Sequence, residues 1–207
     1  MRFAKVTLAG QPGLTAFYRD QLGLPVDGDA IVTGETRLGF RDGGNGAFYH
    51  FAFLIPGDRF AAALAWAEQR VELLHDRDDP PVFIGDAWQS SAVYFHDPAG
   101  NIGELIAHQG LEENGRSGDF AGDELAGLSE LGLVGDRQAL LHRLEALGLR
   151  MFSGTVDEPD RIGFVGERGR AFILAPPGRG WVPTGRAAEP HPVEALIETP
   201  QQARFEL

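Results

Sequence analysis

Residues 3–9 alternate: Ala4, Val6 and Leu8 fall on one side, Phe3, Lys5 and Thr7 on the other, which predicts a half-buried strand. The period then changes. Over residues 14–22, Leu14, Phe17, Tyr18 and Leu22 lie on one helical stripe, and Gly23 stands where such a helix would stop. Residues 30–40 give two short strands about a Gly34-Glu35 turn, followed at 42–46 by five turn formers. The same order then returns. Residues 48–55 alternate, with Phe48, His50, Ala52 and Leu54 on one face and Tyr49, Phe51, Phe53 and Ile55 on the other. Pro56-Gly57-Asp58 reads as the cap of a helix over 59–70, a polar stretch follows at 75–81, and 82–84 is a short apolar run.

The most informative stretch is 90–107. An apolar run stops at Asp97-Pro98, Gly100 offers a positive-φ position, and alternation resumes after Asn101, so a β-hairpin is predicted. In its second strand Ile102, Glu104 and Ile106 share a face. A carboxylate between two isoleucines is costly to bury alone, so Glu104 faces water, a cation or a metal.

After a charged, glycine-rich stretch the pattern begins a third time. A constant offset aligns Val6, Leu8, Leu22, Gly23 and Leu24 with Leu131, Leu133, Leu147, Gly148 and Leu149, and the Gly34-Glu35 turn has a counterpart, outside that offset, in Gly166-Glu167. Each unit reads strand, helix, then two or three strands, and one more strand is expected near 193–198. The fold class is therefore α+β, built from repeated βαβββ modules. The boundaries read 1–110 for a functional pair of modules, 111–124 for a linker and 125–207 for a third module with a C-terminal strand.

Composition narrows the partners. A net charge of −12 over 207 residues argues against nucleic acid and anionic membranes. With no cysteine, there is no disulfide framework and no thiolate ligand. No apolar run is long enough to span a bilayer and no signal peptide is legible, so the cytoplasm is the expected location. No phosphate loop or nucleophile elbow occurs, hence no nucleotide cofactor is expected.

The segments FYRDQLGL, YHFAFLIP and VYFHDPAGNIGELI resemble the vicinal oxygen chelate superfamily of glyoxalase I, extradiol dioxygenases and bleomycin-binding proteins. The resemblance implies paired modules curling into a mixed-sheet cup that holds a small oxygen-rich molecule. In metal-dependent members, first strands of two modules and the glutamate after the DPxGN turn supply ligands. Carried over, these positions are His50 and Glu104, whereas the remaining first-strand position is Lys5, where a histidine is usual. The metal, if bound, would be iron, manganese, nickel or zinc.

Two readings follow. In one, a divalent metal enzyme of lyase, isomerase or ring-cleaving type uses His50 and Glu104, with a third ligand from His96, Gln89 or His75. In the other, a metal-free binding protein pairs the Lys5 ammonium with Glu104. Both make Glu104 and Lys5 the chemical residues, with Thr7, Trp88, Tyr94 and His96 lining the ligand. Arg179, Trp181 and Arg186 offer a second site, but with Glu130 at the position aligned with Lys5 and no equivalent of His50 or Glu104 the third unit reads rather as packing or assembly. An odd number of modules leaves a sheet edge and an apolar face, which predicts a homodimer joined through third modules.

Overall fold

The computed structural model describes residues 1–43, 46–75, 80–199 and 203–207, and all but the side chain of Asp86 within them. Part of the 42–46 turn and most of the 75–81 polar stretch lie outside these residues.

The repeat is present. Unit one is β1 (Arg2–Gly10), α1 (Leu14–Asp20), β2 (Val26–Asp27), β3 (Ala30–Thr33) and β4 (Thr36–Asp42). Unit two is β5 (His50–Ile55), α2 (Phe60–Glu68), β6 (Leu73–Leu74), β7 (Phe83–Gly85), β8 (Ser90–His96) and β9 (Ile102–His108). Unit three is β10 (Gly127–Val134), α3 (Arg137–Ala146), β11 (Met151–Gly154), β12 (Gly163–Glu167) and β13 (Arg170–Ala175). The tail adds a small hairpin, β14 (Gly180–Trp181) and β15 (Arg186–Ala187), then β16 (Val193–Glu198) and β17 (Ala203–Glu206).

How the units pair differs from the expectation. Units two and three share one nine-stranded sheet, joined where β5 runs antiparallel to β10. Unit one builds a separate six-stranded sheet in the order β17-β16-β1-β4-β3-β2, so its first strand is partnered by the C-terminal β16 rather than by unit two. The cup thus spans residues 50–175 and not 1–110. The reason is edge pairing: β1 is covered by β16, which leaves β5 to meet β10.

The two faces of the nine-stranded sheet carry separate cores. Phe51, Phe53, Phe95, Leu105, Leu131 and Phe172 pack behind the sheet against unit one and the helices. Ala52, Tyr94, Ile106 and Ile173 fill the inner face. Phe3 meets Phe172 edge-on at 5.0 Å, and Phe172 meets Phe205 at 5.4 Å, so one aromatic run joins the sheets. Phe3 was expected on the face of Lys5; a register shift between them turns it into the core. The apolar face that predicted a homodimer is covered within the chain.

Local rules explain most boundaries. Asp136 caps α3 by accepting from the backbone N–H groups of Gln138 and Ala139. Asp58 does not cap α2; it accepts from the amides of Asn114 and Gly115. Segment 112–124 is therefore tied down, and Arg59 completes the tie by binding the Glu124 carboxylate and the carbonyls of Arg116, Gly118 and Asp119. The unit-three turn is Arg168-Gly169, closed by Glu167 opposite Arg170, two residues beyond the expected Gly166-Glu167.

Candidate metal centre

The Asp97–Asn101 turn fixes the register of the site. Asp97 accepts from the amides of Ala99 and Asn101, the Asn101 side chain and the Tyr18 hydroxyl, the last at 2.7 Å. Burial pushes the Asp97 carboxyl upward against the pull of these bonds. Gly100 takes φ 79°, as the sequence predicts. Asn101 in turn accepts from the Tyr49 amide at 2.8 Å, which sets β9 alongside β5 with Ala52 beside Glu104.

On the other side of β5, Ala52 faces Glu130 of β10. The alanine methyl therefore floors a gap between two longer carboxylate side chains, and His50, two residues away on the same face, reaches over it. A register shift between Leu128 and Glu130 accompanies the turn of Glu130 inward. Ligand atoms of His50, Glu104 and Glu130 all lie within 4.8 Å of one another, and the residues are only 5%, 3% and 5% exposed.

The tautomer follows from the neighbours. His50 Nδ1 lies 3.2 Å from the carbonyl oxygen of Ile102, which can only accept, so Nδ1 carries a proton. That leaves Nε2 aimed at Glu104 Oε2, 3.3 Å away. An imidazole lone pair and two carboxylates thus converge in a buried space and require a shared cation or protons. Burial and the Glu104 charge push the Glu130 carboxyl well above the usual carboxylate range, as an uncompensated site demands. The Tyr94 hydroxyl bonds Glu104, and burial, then the two carboxylates, drive its own ionisation far upward, so it stays a donor.

The donor set fits a metal ion. Bonds of about 2.0–2.2 Å place neighbouring ligand atoms about 3 Å apart, close to the His50–Glu104 separation. One nitrogen and two carboxylates suit iron, manganese, zinc or nickel better than calcium. Ile173 of β13, beside Gly132 of β10, takes the place in unit three that Glu104 takes beside Ala52 in unit two, so the candidate ligand set has three residues.

The β14–β15 hairpin roofs the centre. The Trp181 ring lies against His50, tilted by 37° with ring centroids 5.0 Å apart. The Arg186 guanidinium lies 3.4 Å above the Phe48 ring and donates to the Gly100 carbonyl.

The remaining candidates are dispersed. Lys5 and Thr7 belong to the six-stranded sheet and line a groove of about 170 Å³ with Glu194 and Arg204. No Lys5–Glu104 ion pair forms, because the two side chains are on different sheets; this corrects the metal-free pairing and removes Lys5 and Thr7 from the centre. His96 sits on the exposed rim against the Asn101 carbonyl. Trp88 lies at the cup's outer edge, 4.4 Å from Phe164. Neither His96, Gln89 nor His75 completes the ligand set among the described residues; Glu130 does. The signal for it was the internal offset that placed Glu130 at a first-strand ligand position.

No protein-family model and no curated protein matches the chain. Solved structures do. A candidate dioxygenase from Bacillus subtilis superposes with TM-score 0.54 at 18% identity, over 84% of this chain and 63% of that one. Glyoxalase I from Zea mays gives 0.52 at 17%, over 84% and 66%. The chain therefore spans less than two thirds of either relative's length. Among the described residues, no helix is long and apolar enough to cross a membrane. With its curled sheet of paired modules and its solved relatives, the chain has the fold of the vicinal oxygen chelate superfamily.

Proposed function

We propose that the protein is a divalent-metal enzyme acting on a small oxygen-rich molecule, with His50, Glu104 and Glu130 as the metal ligands. One observation carries this reading: three buried acceptor groups from three strands of two units converge within 4.8 Å, with the histidine tautomer set to present its lone pair. When bound there, the metal supplies Lewis-acid stabilisation of charge developing on a substrate oxygen.

The chain's own contributions are positional. The Ile102 carbonyl holds the His50 ring by its Nδ1 proton, as an outer partner of a ligating histidine does. Tyr94 donates to Glu104 and orients that carboxylate. Trp181 excludes water from above, which strengthens every charge interaction beneath it. Glyoxalase-type and dioxygenase-type chemistry are both consistent with such a centre, since one fold hosts many reactions.

The test is elemental analysis of protein purified without chelator or affinity tag. About one equivalent of a transition metal is expected for the native chain, and less than about a tenth for His50→Ala. Native protein that takes up no metal from a buffered metal solution would defeat the proposal.

A further inference from the structure

A cavity of about 490 Å³, within the range of small-molecule sites, lies between the β7–β8 edge of unit two and the β11–β12 edge of unit three. Its apolar wall is aromatic. Its lining residues Trp88 and Phe164 meet at 4.4 Å and 72°, and Phe152 lies outside the lining, 5.5 Å from Trp88. Ser90 and Ser153 contribute hydroxyls, and Arg161 and Arg179 contribute the cations. Both arginines line the cavity, Arg179 donates to the Gly180 carbonyl, and neither guanidinium is ion-paired among the described residues.

Asp160 also lines the cavity and leaves it with one net positive charge. In a chain of net charge −12, that local reversal of sign is what an approaching anion would need. The cavity shares a wall with the candidate metal centre. Ile162 and Phe164 pack against the inner core that holds Ala52 and Tyr94, and Phe164 pairs with Ile173, the neighbour of Gly132 beneath Trp181. Another cavity of this size, about 520 Å³ around Glu112 and Arg170, has Arg170 engaged by Glu112 and the N-terminus by Glu167.

We propose that this cavity binds a small organic monoanion with a flat apolar body, and that this is the substrate class of the neighbouring centre. The second clause rests on the metal-enzyme reading above; the first does not. The aromatic wall takes the flat body, the arginine pair takes the negative end, and the single net charge disfavours dianions.

Benzoate is the probe. It is titrated calorimetrically into metal-stripped protein at neutral pH beside benzyl alcohol, which lacks the charge, and acetate, which lacks the ring. Benzoate is expected to bind at least about tenfold more tightly than either, in keeping with a charge-assisted contact. The double variant R161Q/R179Q should erase the preference over benzyl alcohol. Trp88→Leu, which keeps apolar bulk and whose folding is checked by circular dichroism, should weaken benzoate about five- to tenfold. Absent benzoate binding, equal affinity for benzyl alcohol, or an R161Q/R179Q variant that binds benzoate like the native chain would each overturn the proposal. Metal uptake is measured on aliquots of the same preparations returned to a buffered metal solution. Arginine-dependent benzoate binding by a chain that takes up no metal leaves the cavity standing and removes the centre, and metal uptake without benzoate binding does the reverse.

Discussion

Glu130 separates the two readings of this chain. Its carboxylate completes the proposed ligand set with His50 and Glu104, whereas Lys5 lines a groove on another sheet. Glu130→Gln is therefore expected to weaken metal binding by more than about tenfold, since even outer partners of metal ligands cost about 10–100-fold. Lys5→Ala should leave metal affinity unchanged, and equilibrium titration with a fluorescent metal competitor reads both. Gly132 offers a second check. A Cβ built there would lie 2.9 Å from the Trp181 ring and 3.2 Å from the His50 carbonyl oxygen. Gly132→Ala should displace the indole and destabilise the fold by about 1–3 kcal/mol, as overpacking does. Thermal unfolding measures the loss, and a red-shifted tryptophan emission would report an indole moved toward water.

Segment 111–124 looks like a linker in sequence and behaves as a strap in the fold. Arg59 and Glu124, both buried, form its anchor, with the Ala121 amide and the Asn114 side chain also donating to the carboxylate. Burial pushes the Glu124 carboxyl up, but Arg59 and the other donors outweigh it and the group is held below its ordinary value. A carboxyl depressed by folding stabilises the fold above its unfolded pKa of about 4.3 and ceases to do so as pH falls through the lower folded value. Hydrogen exchange at the Ala121 amide should therefore lose protection below about pH 4, and Glu124→Gln should show that loss at neutral pH. The variant strands the Arg59 charge, at a cost of about 3–5 kcal/mol. An Ala121 amide equally protected in both proteins would contradict this account.

Across the molecule, the two sheets form one folding unit because their cores are continuous through Phe3, Phe172 and Phe205. Phe172→Ala should cost about 3–5 kcal/mol and lower a single unfolding transition seen by every probe. Two separate transitions would show that the sheets fold independently. The β16–β17 pair also disposes of the apolar face that an odd number of modules would otherwise expose. Self-association is thus not demanded by the fold.

The chain by itself determined the repeat, the alternation of most strands and the Asp97–Asn101 hairpin, because alternation, glycine positions and turn chemistry are local properties. It also marked His50 and Glu104 as facing one side. The identity of a strand's neighbour is different, since it depends on which distant edges meet and leaves no mark in strand alternation. Only the tertiary structure decided that β5 pairs with β10 rather than with β1, and that single choice exchanged an ammonium for a carboxylate in the centre. The same long-range pairing brought Trp181 over His50 and opened the cavity between Trp88 and Arg179, side chains separated by more than a whole module in sequence.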